Sequence, residues 1–170
     1  WEIKGHCLKV NFEGANFQLN THQTARETST YYNYFLGQDK SKWQSKVPAF
    51  QELHFKEIYP NIDFKIYNSG NNFKYDIIVQ AQANVTDIKI NFEGAENISI
   101  KEGNLHIKTS INEVIEQQPY AYQIINGKKQ EISCQFQLTD NQFAIFYPED
   151  VHAPMIGNSE VKKLVFKVKI

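Results

Sequence analysis

Apolar and polar residues alternate with a period of two along most of this chain, and the alternation is clearest between Ile62 and Val79. There Ile62, Phe64 and Ile66 alternate with Asp63, Lys65 and Tyr67. After Asn68-Ser69-Gly70-Asn71-Asn72 the pattern resumes as Phe73, Tyr75, Ile77 and Val79. This is the signature of a β-hairpin. Symmetric closure about Ser69-Gly70 pairs Phe64 with Tyr75 and Ile66 with Phe73, giving one dry face and one wet face. The same reading gives a strand over His6 to Glu13 with Leu8, Val10 and Phe12 inward, and another over Asp87 to Phe92. A tight hairpin joins Ile98-Ser99-Ile100 to Leu105-His106-Ile107, and short strands lie on either side of Pro119. Asn126-Gly127 is a strong two-residue turn, and beyond it Ile132, Cys134, Phe136 and Leu138 form one alternating strand. Thr139-Asp140-Asn141 turns, Phe143 to Tyr147 returns, Pro148 to Glu160 reads as a loop, and Leu164, Phe166 and Val168 mark a last strand.

Two stretches break the alternation. Thr21 to Thr30 is polar without periodicity and reads as a mobile loop, whereas Tyr31 to Gly37, YYNYFLG, is almost continuously apolar and reads as a buried strand. Gln38 to Lys46, with Trp43 in its middle, has room for one helical turn. Short strands every 8 to 12 residues, punctuated by Gly, Asn and Asp, predict an all-β chain folded as an antiparallel β-sandwich, with a closed barrel as the alternative.

A repeat adds to this picture. Lys9-Val10-Asn11-Phe12-Glu13-Gly14-Ala15 returns as Lys89-Ile90-Asn91-Phe92-Glu93-Gly94-Ala95, 80 residues later, and a tyrosine-rich strand ending in Gly follows each copy. Residues 1–170 are therefore expected to form one domain built of two duplicated β-halves, about 1–80 and 81–170. Equivalent strand paths are expected for 6–37 and 86–127. The opening strand has no turn or cap before it, so the natural domain is expected to begin upstream of Trp1.

Composition narrows the function classes. The 18 basic and 19 acidic residues give a formal charge of −1 and are spread along the chain, which excludes the electrostatic footprint of a nucleic-acid partner. No apolar run is long enough for a membrane-spanning helix. Twelve Phe, nine Tyr and two Trp suit pleated surfaces and leave rings to spare. Trp43, Tyr31, Tyr67 and Tyr147 are the candidates for an exposed stacking platform for sugar or peptide. Cys7 and Cys134 occupy inward strand positions, where a thiol is inert core filling; an oxidising compartment would allow them to pair. Asn84 and Asn97 lie in N-x-S/T sequons.

Catalytic and cofactor motifs are missing from the sequence, and no cofactor is expected. The five histidines have spacings that make no local metal pair. The hairpin register sets Asp63 opposite Asp76 on the wet face, a pair able to bind a cation. Lys65 and Lys74 lie diagonal to them, so a lattice of four charges is the simpler account.

Several stretches, taken together and in order, resemble an uncharacterised all-β domain near the N-terminus of large secreted Bacteroidota proteins. They are Tyr31 to Gly37 with Ser41-Lys42-Trp43 and Val47-Pro48; Leu53 to Phe64; Lys74 to Val79; Phe92-Glu93-Gly94-Ala95; and Gln118 to Gln123 with Gly127-Lys128-Lys129. In that family the domain precedes β-propeller-like or immunoglobulin-like repeats and a type IX secretion or gliding-motility sorting domain. The family usually has Gly where this chain has Asn61, and a Pro-Gly-Ala-Asp turn where it has Gln82-Ala83-Asn84. The resemblance implies a secreted or cell-surface setting, with other modules of the same polypeptide as partners, and supplies no catalytic residues. The resulting expectation is a non-enzymatic structural or adhesive module. The alternatives are a carbohydrate-binding module using exposed aromatics and, ranked below it, a glycoside hydrolase.

Overall fold

The computed structural model describes residues 4–17, 22–69, 72–139, 142–146 and 162–169. All its strand pairings are antiparallel. The strands are β1 (Lys9–Phe12), β2 (Gln23–Tyr34), β3 (Gln44–Tyr59), β4 (Ile62–Ser69), β5 (Asn72–Val79), β6 (Lys89–Glu93) and β7 (Asn97–Lys101). They continue as β8 (Asn104–Lys108), β9 (Glu113–Glu116), β10 (Tyr120–Ile125), β11 (Lys128–Ile132), β12 (Gln135–Thr139), β13 (Gln142–Phe146) and β14 (Lys162–Lys169). The small sheet runs β1-β6-β13-β12. The large sheet runs β2-β3-β4-β5-β14-β9-β8-β7, with β10 also on β14 and β11 on β10. Among the described residues both sheets keep free ends, so the molecule is a sandwich and the barrel alternative is set aside.

One core lies between the sheets. Ile58, Ile62, Phe64, Tyr75, Ile77 and Val79 of the large sheet meet Ile88, Ile90, Phe92 and Phe136 on or beside the small one. Phe12 of β1 packs edge-on to Phe64 of β4 with ring centroids 5.1 Å apart, and Phe17 stands edge-on to Phe55 and Phe64 at 5.2 and 5.6 Å. These tilted rings bring the two sheets together with the geometry aromatic quadrupoles favour.

The hairpin β4–β5 forms, but two residues out of the symmetric register. Ser69 pairs with Asn72, Phe64 with Ile77, Ile66 with Tyr75 and Lys65 with Asp76. A slip of two keeps every side chain on its face, so the apolar set is unchanged while the charged pairing is not. The other face is also less wet than alternation implies, because Asp63 and Asp76 are 2% and 0% exposed. Side chains of neighbouring positions close over them, Lys56 on Asp63 and Tyr67 on Asp76.

Tight turns follow their residues. Glu102 (φ 51) and Gly103 (φ 78) join β7 to β8, and Asn126 (φ 50) and Gly127 (φ 74) join β10 to β11; both pairs are left-handed throughout, as a type I′ turn requires. Two of the places where this chain departs from the family it resembles also matter here, since Asn61 (φ 61) and Gln82 (φ 66) are left-handed residues that are not glycine.

The repeated words meet each other. β1 and β6 pair antiparallel about Asn11↔Asn91, with Lys9 opposite Glu93 and Phe12 opposite Ile90, a local two-fold relation between the copies. Each copy then closes the same turn: the Ala15 amide donates to the Phe12 carbonyl and the Ala95 amide to the Phe92 carbonyl, both at 3.3 Å. Beyond that turn the paths differ. β2 follows β1 directly, whereas β7, β8 and β9 intervene before the second tyrosine-rich strand, β10. The equivalence of 6–37 with 86–127 therefore extends over the strand and turn only.

Four further expectations are corrected. Thr24 to Thr30 lies in β2 and is not a loop, because an edge strand exposed on both faces has no core to impose alternation. Tyr31 to Gly37 is exposed, not buried. The alternating run from Ile132 to Leu138 belongs to two strands, since β11 ends in the large sheet at Ile132 and β12 begins in the small one at Gln135. Cys7 is exposed and precedes β1, whereas Cys134 is buried; both thiols are free. Tyr147 and the Pro148 to Glu160 loop lie outside the described residues.

Candidate functional site

The most exposed apolar surface is carried by the β2–β3 ribbon. β4 pairs with β3 from Glu52↔Tyr67 onward, while β2 continues with β3 through Glu27↔Phe50, Tyr31↔Pro48 and Tyr32↔Val47 to Tyr34↔Gln44. Over that distance, roughly 20 Å at about 3.3 Å per residue, no described third strand is registered against it. Pro48 removes one donor from β3 within this stretch, as suits a strand with a free side. β2 bulges twice against β3, between Glu27 and Tyr31 and between Tyr32 and Tyr34, and Lys46 adopts φ 54 there. Its amide is held by the Asn33 side-chain oxygen at 2.9 Å. Bulges of this kind bend a strand and increase its local twist.

Rings crowd this ribbon on both faces. Tyr31, Tyr32, Tyr34, Phe35 and Phe50 are exposed, and Leu36 at the tip is 78% exposed. Tyr32 and Tyr34 lie 6.4 Å apart with a 34° tilt. Trp43 is half-buried and serves as the fixed point of the tip: its Nε1 donates to the Gly37 carbonyl at 3.2 Å, Phe35 meets it edge-on at 5.5 Å, and the Lys40 ammonium stands 5.8 Å from its ring. A single 3-10 turn over Lys40–Lys42 shapes the tip, the helical turn expected there. Asp39 caps it by accepting from the Ser41 amide and hydroxyl at 3.1 and 2.7 Å, and these bonds hold its carboxyl below the usual range.

The structure brings Tyr31 and Trp43 together on this ribbon but places Tyr67 elsewhere. Tyr67 sits half-buried on β4 and donates its hydroxyl to Asp76 Oδ1 at 3.1 Å. Burial first, then the Asp76 carboxylate, pushes its phenol up to about 12. Sequence reasoning missed Tyr32, Tyr34, Phe35 and Leu36 as surface residues. The absence of alternation in YYNYFLG was the available signal, since a run without alternation is either covered on both faces or bare on both.

A second cluster covers the outer face of β3, β4 and β5. Asp63 accepts from the Glu57 amide at 2.8 Å and from the Lys56 ammonium at 2.9 Å, with His54 Nε2 3.4 Å away. Glu57 is left-handed (φ 50), at the bulge where Phe55↔Phe64 gives way to Tyr59↔Ile62, so Asp63 pins an irregular backbone turn. Lys65 reaches Glu52 Oε1 at 3.1 Å and lies 5.2 Å from the Tyr67 ring. Burial, and then the Lys56 charge, lowers the His54 imidazole below its ordinary value, while the Asp63 carboxylate pulls the other way. The expected Asp63–Asp76 pair does not form, because Asp63 faces Ile78 and Asp76 faces Lys65. Both carboxylates are held by protein donors, and among the described residues no group of three or more His, Cys, Asp or Glu is arranged to hold a metal ion.

One more buried carboxyl was not anticipated from sequence. Glu116 of β9, 3% exposed, accepts a hydrogen bond from the Tyr75 hydroxyl of β5. β14 lies between those two strands, with Phe166 opposite Tyr75 and Val168 opposite Glu116, so the bond reaches across a strand. Burial pushes the Glu116 carboxyl up to about 7, although the Tyr75 bond pulls it back toward ionisation.

These elements define an all-β, antiparallel two-sheet module with a projecting aromatic ribbon and an ion-paired outer face. The chain belongs to a family described as a domain of unknown function, DUF7948, whose model matches residues 2–156. No curated protein and no solved structure matches the chain. No helix among the described residues is long and apolar enough to cross a membrane.

Proposed function

We propose that this chain is a non-enzymatic adhesive or structural module of a larger secreted or cell-surface protein of the Bacteroidota type, and that the β2–β3 ribbon is its contacting element. The observation that carries the reading is the bare aromatic surface of Tyr31, Tyr32, Tyr34, Phe35 and Leu36 on a two-stranded extension. An isolated two-stranded ribbon is marginal in water, and exposed rings of this kind mark a surface that is covered in the working assembly. Asp63 and Glu52 are engaged by lysine ammonium groups, an arrangement that supports cohesion over acid–base chemistry.

The occupant we favour is another module of the same polypeptide. A sugar-stacking platform wants ring faces presented side by side, whereas Tyr32 and Tyr34 are tilted and Trp43 is tied to Gly37 and Phe35. A photo-crosslinking residue placed at Tyr32 in the parent polypeptide is expected to capture a neighbouring module, and the same residue at the remote Lys108 is not. Equal capture from both positions would overturn the reading. Glycan binding by the unmodified chain that disappears in Tyr32→Ser/Tyr34→Ser would replace it with the carbohydrate-binding alternative.

A further inference from the structure

The tip of the β2–β3 ribbon carries charge as well as rings. Every residue from Tyr31 to Lys42 is exposed. Between Tyr31 and Phe50 stand three lysines, Lys40, Lys42 and Lys46, against one acid, Asp39, an excess of two positive charges on a chain whose formal charge is −1. Asp39 is already engaged, since it accepts from Ser41 and lies 3.8 Å from the Lys42 ammonium. Lys40 stands 5.8 Å from the centre of the Trp43 ring, a contact that leaves its charge in place. Among the described residues no carboxylate forms an ion pair with Lys40 or Lys46. At the other end of the same two strands the cations are matched: Arg26 lies 3.5 Å from Glu52, and Lys56 lies 2.9 Å from Asp63. Positive charge is therefore left over at the end of the ribbon where the rings are bare.

We infer that the surface that takes this ribbon on the adjoining module is acidic: an apolar patch for Tyr32, Tyr34, Phe35 and Leu36, flanked by Asp or Glu side chains that meet Lys40, Lys42 and Lys46. The inference rests on the contact between modules proposed above and adds the chemistry of its other side. Rings surrounded by lysines reproduce the usual layout of an interface, an apolar centre inside a polar rim. Area shows why the rim matters. Half-exposed rings of about 150–250 Å² each, together with Leu36, offer roughly 500 Å², less than the about 800 Å² per partner of a free-standing complex. A contact that small depends on a tether to raise the effective concentration, and on charge to fix which surface is met. A basic partner would repel the three ammonium groups, and a neutral apolar one would strip their hydration without replacing it. Carboxylates satisfy both requirements.

Two crosslinks in the parent polypeptide separate the contact from its chemistry. The photo-crosslinking residue at Tyr32 reports the contact, and a water-soluble carbodiimide, which joins an ammonium to a carboxylate in touch with it, reports the ion pairs. Peptide mass spectrometry is expected to find Lys40, Lys42 or Lys46 joined by an amide to an Asp or Glu of a neighbouring module. Charge reversal in Lys40→Glu/Lys46→Glu is expected to slow capture from Tyr32 by roughly five-fold or more. Both side chains are exposed, and the Asn33 bond at Lys46 is to its backbone amide, so the thermal midpoint is expected to stay where it was. Lys40→Arg/Lys46→Arg restores the charge and is expected to restore capture to at least half, without amide links at those two positions. Capture that survives the charge reversal, or an absence of amide links from all three lysines to a neighbouring module, would overturn the inference and leave the contact itself standing. No capture from Tyr32 in the unaltered polypeptide would remove both. Sedimentation of the chain with vesicles of phosphatidylcholine and phosphatidylglycerol, lost on charge reversal and found in place of the amide links, would overturn it in favour of an anionic lipid surface.

Discussion

At the scale of single residues, two backbone positions and one carboxyl carry the sharpest consequences. Gln82 holds a left-handed conformation (φ 66) that costs an L residue about 1–2 kcal/mol, and part of this returns when glycine replaces it. Gln82→Gly is therefore expected to stabilise the fold by roughly 0.5–1 kcal/mol, a rise of a few degrees in the thermal midpoint. Gly94 works in the opposite sense: at φ 94, an added Cβ would lie 2.6 Å from the Cys7 carbonyl oxygen, so Gly94→Ala is expected to lower the midpoint clearly. Glu116 makes stability depend on pH. Its carboxyl is raised from 4.5 to about 7 by burial, so the folded state favours the protonated form. That stabilisation is fully present below the unfolded value and is lost as pH rises through about 7. Glu116→Gln keeps an acceptor for the Tyr75 hydroxyl without the charge, and at pH 8–9 it should exceed the parent by up to roughly 3 kcal/mol while differing little at pH 4–5. Urea titrations at the two pH values check this, and a constant difference across them would contradict the assignment. None of this was legible in Glu116 itself, since nothing in the residues around it along the chain announces that Tyr75, 41 residues away, will reach it.

At the scale of elements, alternation was a dependable guide wherever one face of a strand meets the core. β4, β5, β6, β7 and β8 all appear where Ile, Phe, Val and Leu recur every second residue, and both left-handed turns appear where Glu102-Gly103 and Asn126-Gly127 stand. It failed on β2, which no sheet covers: polar Thr24 to Thr30 looked like a loop and apolar Tyr31 to Gly37 like a buried strand, though Thr24 to Tyr34 all lie in one edge strand. Exposure of that ribbon makes a prediction. Replacing Tyr31 by Ser is expected to change stability by no more than about 1 kcal/mol, because its ring is more than half exposed. A loss of several kcal/mol in chemical denaturation would mean that the ring serves the core and not a partner. Proline separates the two kinds of strand in the same way. Val165→Pro interrupts β14, which is paired on both sides, and is expected to cost about 3 kcal/mol or more. Ser29→Pro falls where β2 bulges away from β3 and should cost under about 1 kcal/mol. Amide exchange of Tyr75 to Val79 in the Val165→Pro variant reports whether β5 has lost its neighbour.

At the scale of the whole molecule, the sequence by itself determined that this is a chain of antiparallel ribbons around an apolar core. Period-two patterning and turn residues act locally, and no competing helical period runs long enough to contest them. The repeated word was also visible in the sequence, and the structure pairs its two copies with each other about Asn11 and Asn91. What only the tertiary structure decided is which strand lies beside which. Alternation is unchanged by a slip of two residues, which is why the Asp63–Asp76 pairing expected from symmetric closure gives way to Lys65–Asp76. Pattern is equally silent about sheet order. Leu164, Phe166 and Val168 read as one more strand, and the fold alone places it at the centre of the large sheet between β5 and β10. Burial depends on neighbours that arrive from distant parts of the chain, so a continuous aromatic run such as Tyr31 to Leu36 has the same letters whether covered on both faces or bare. The sheet ended at β2, and that left it bare.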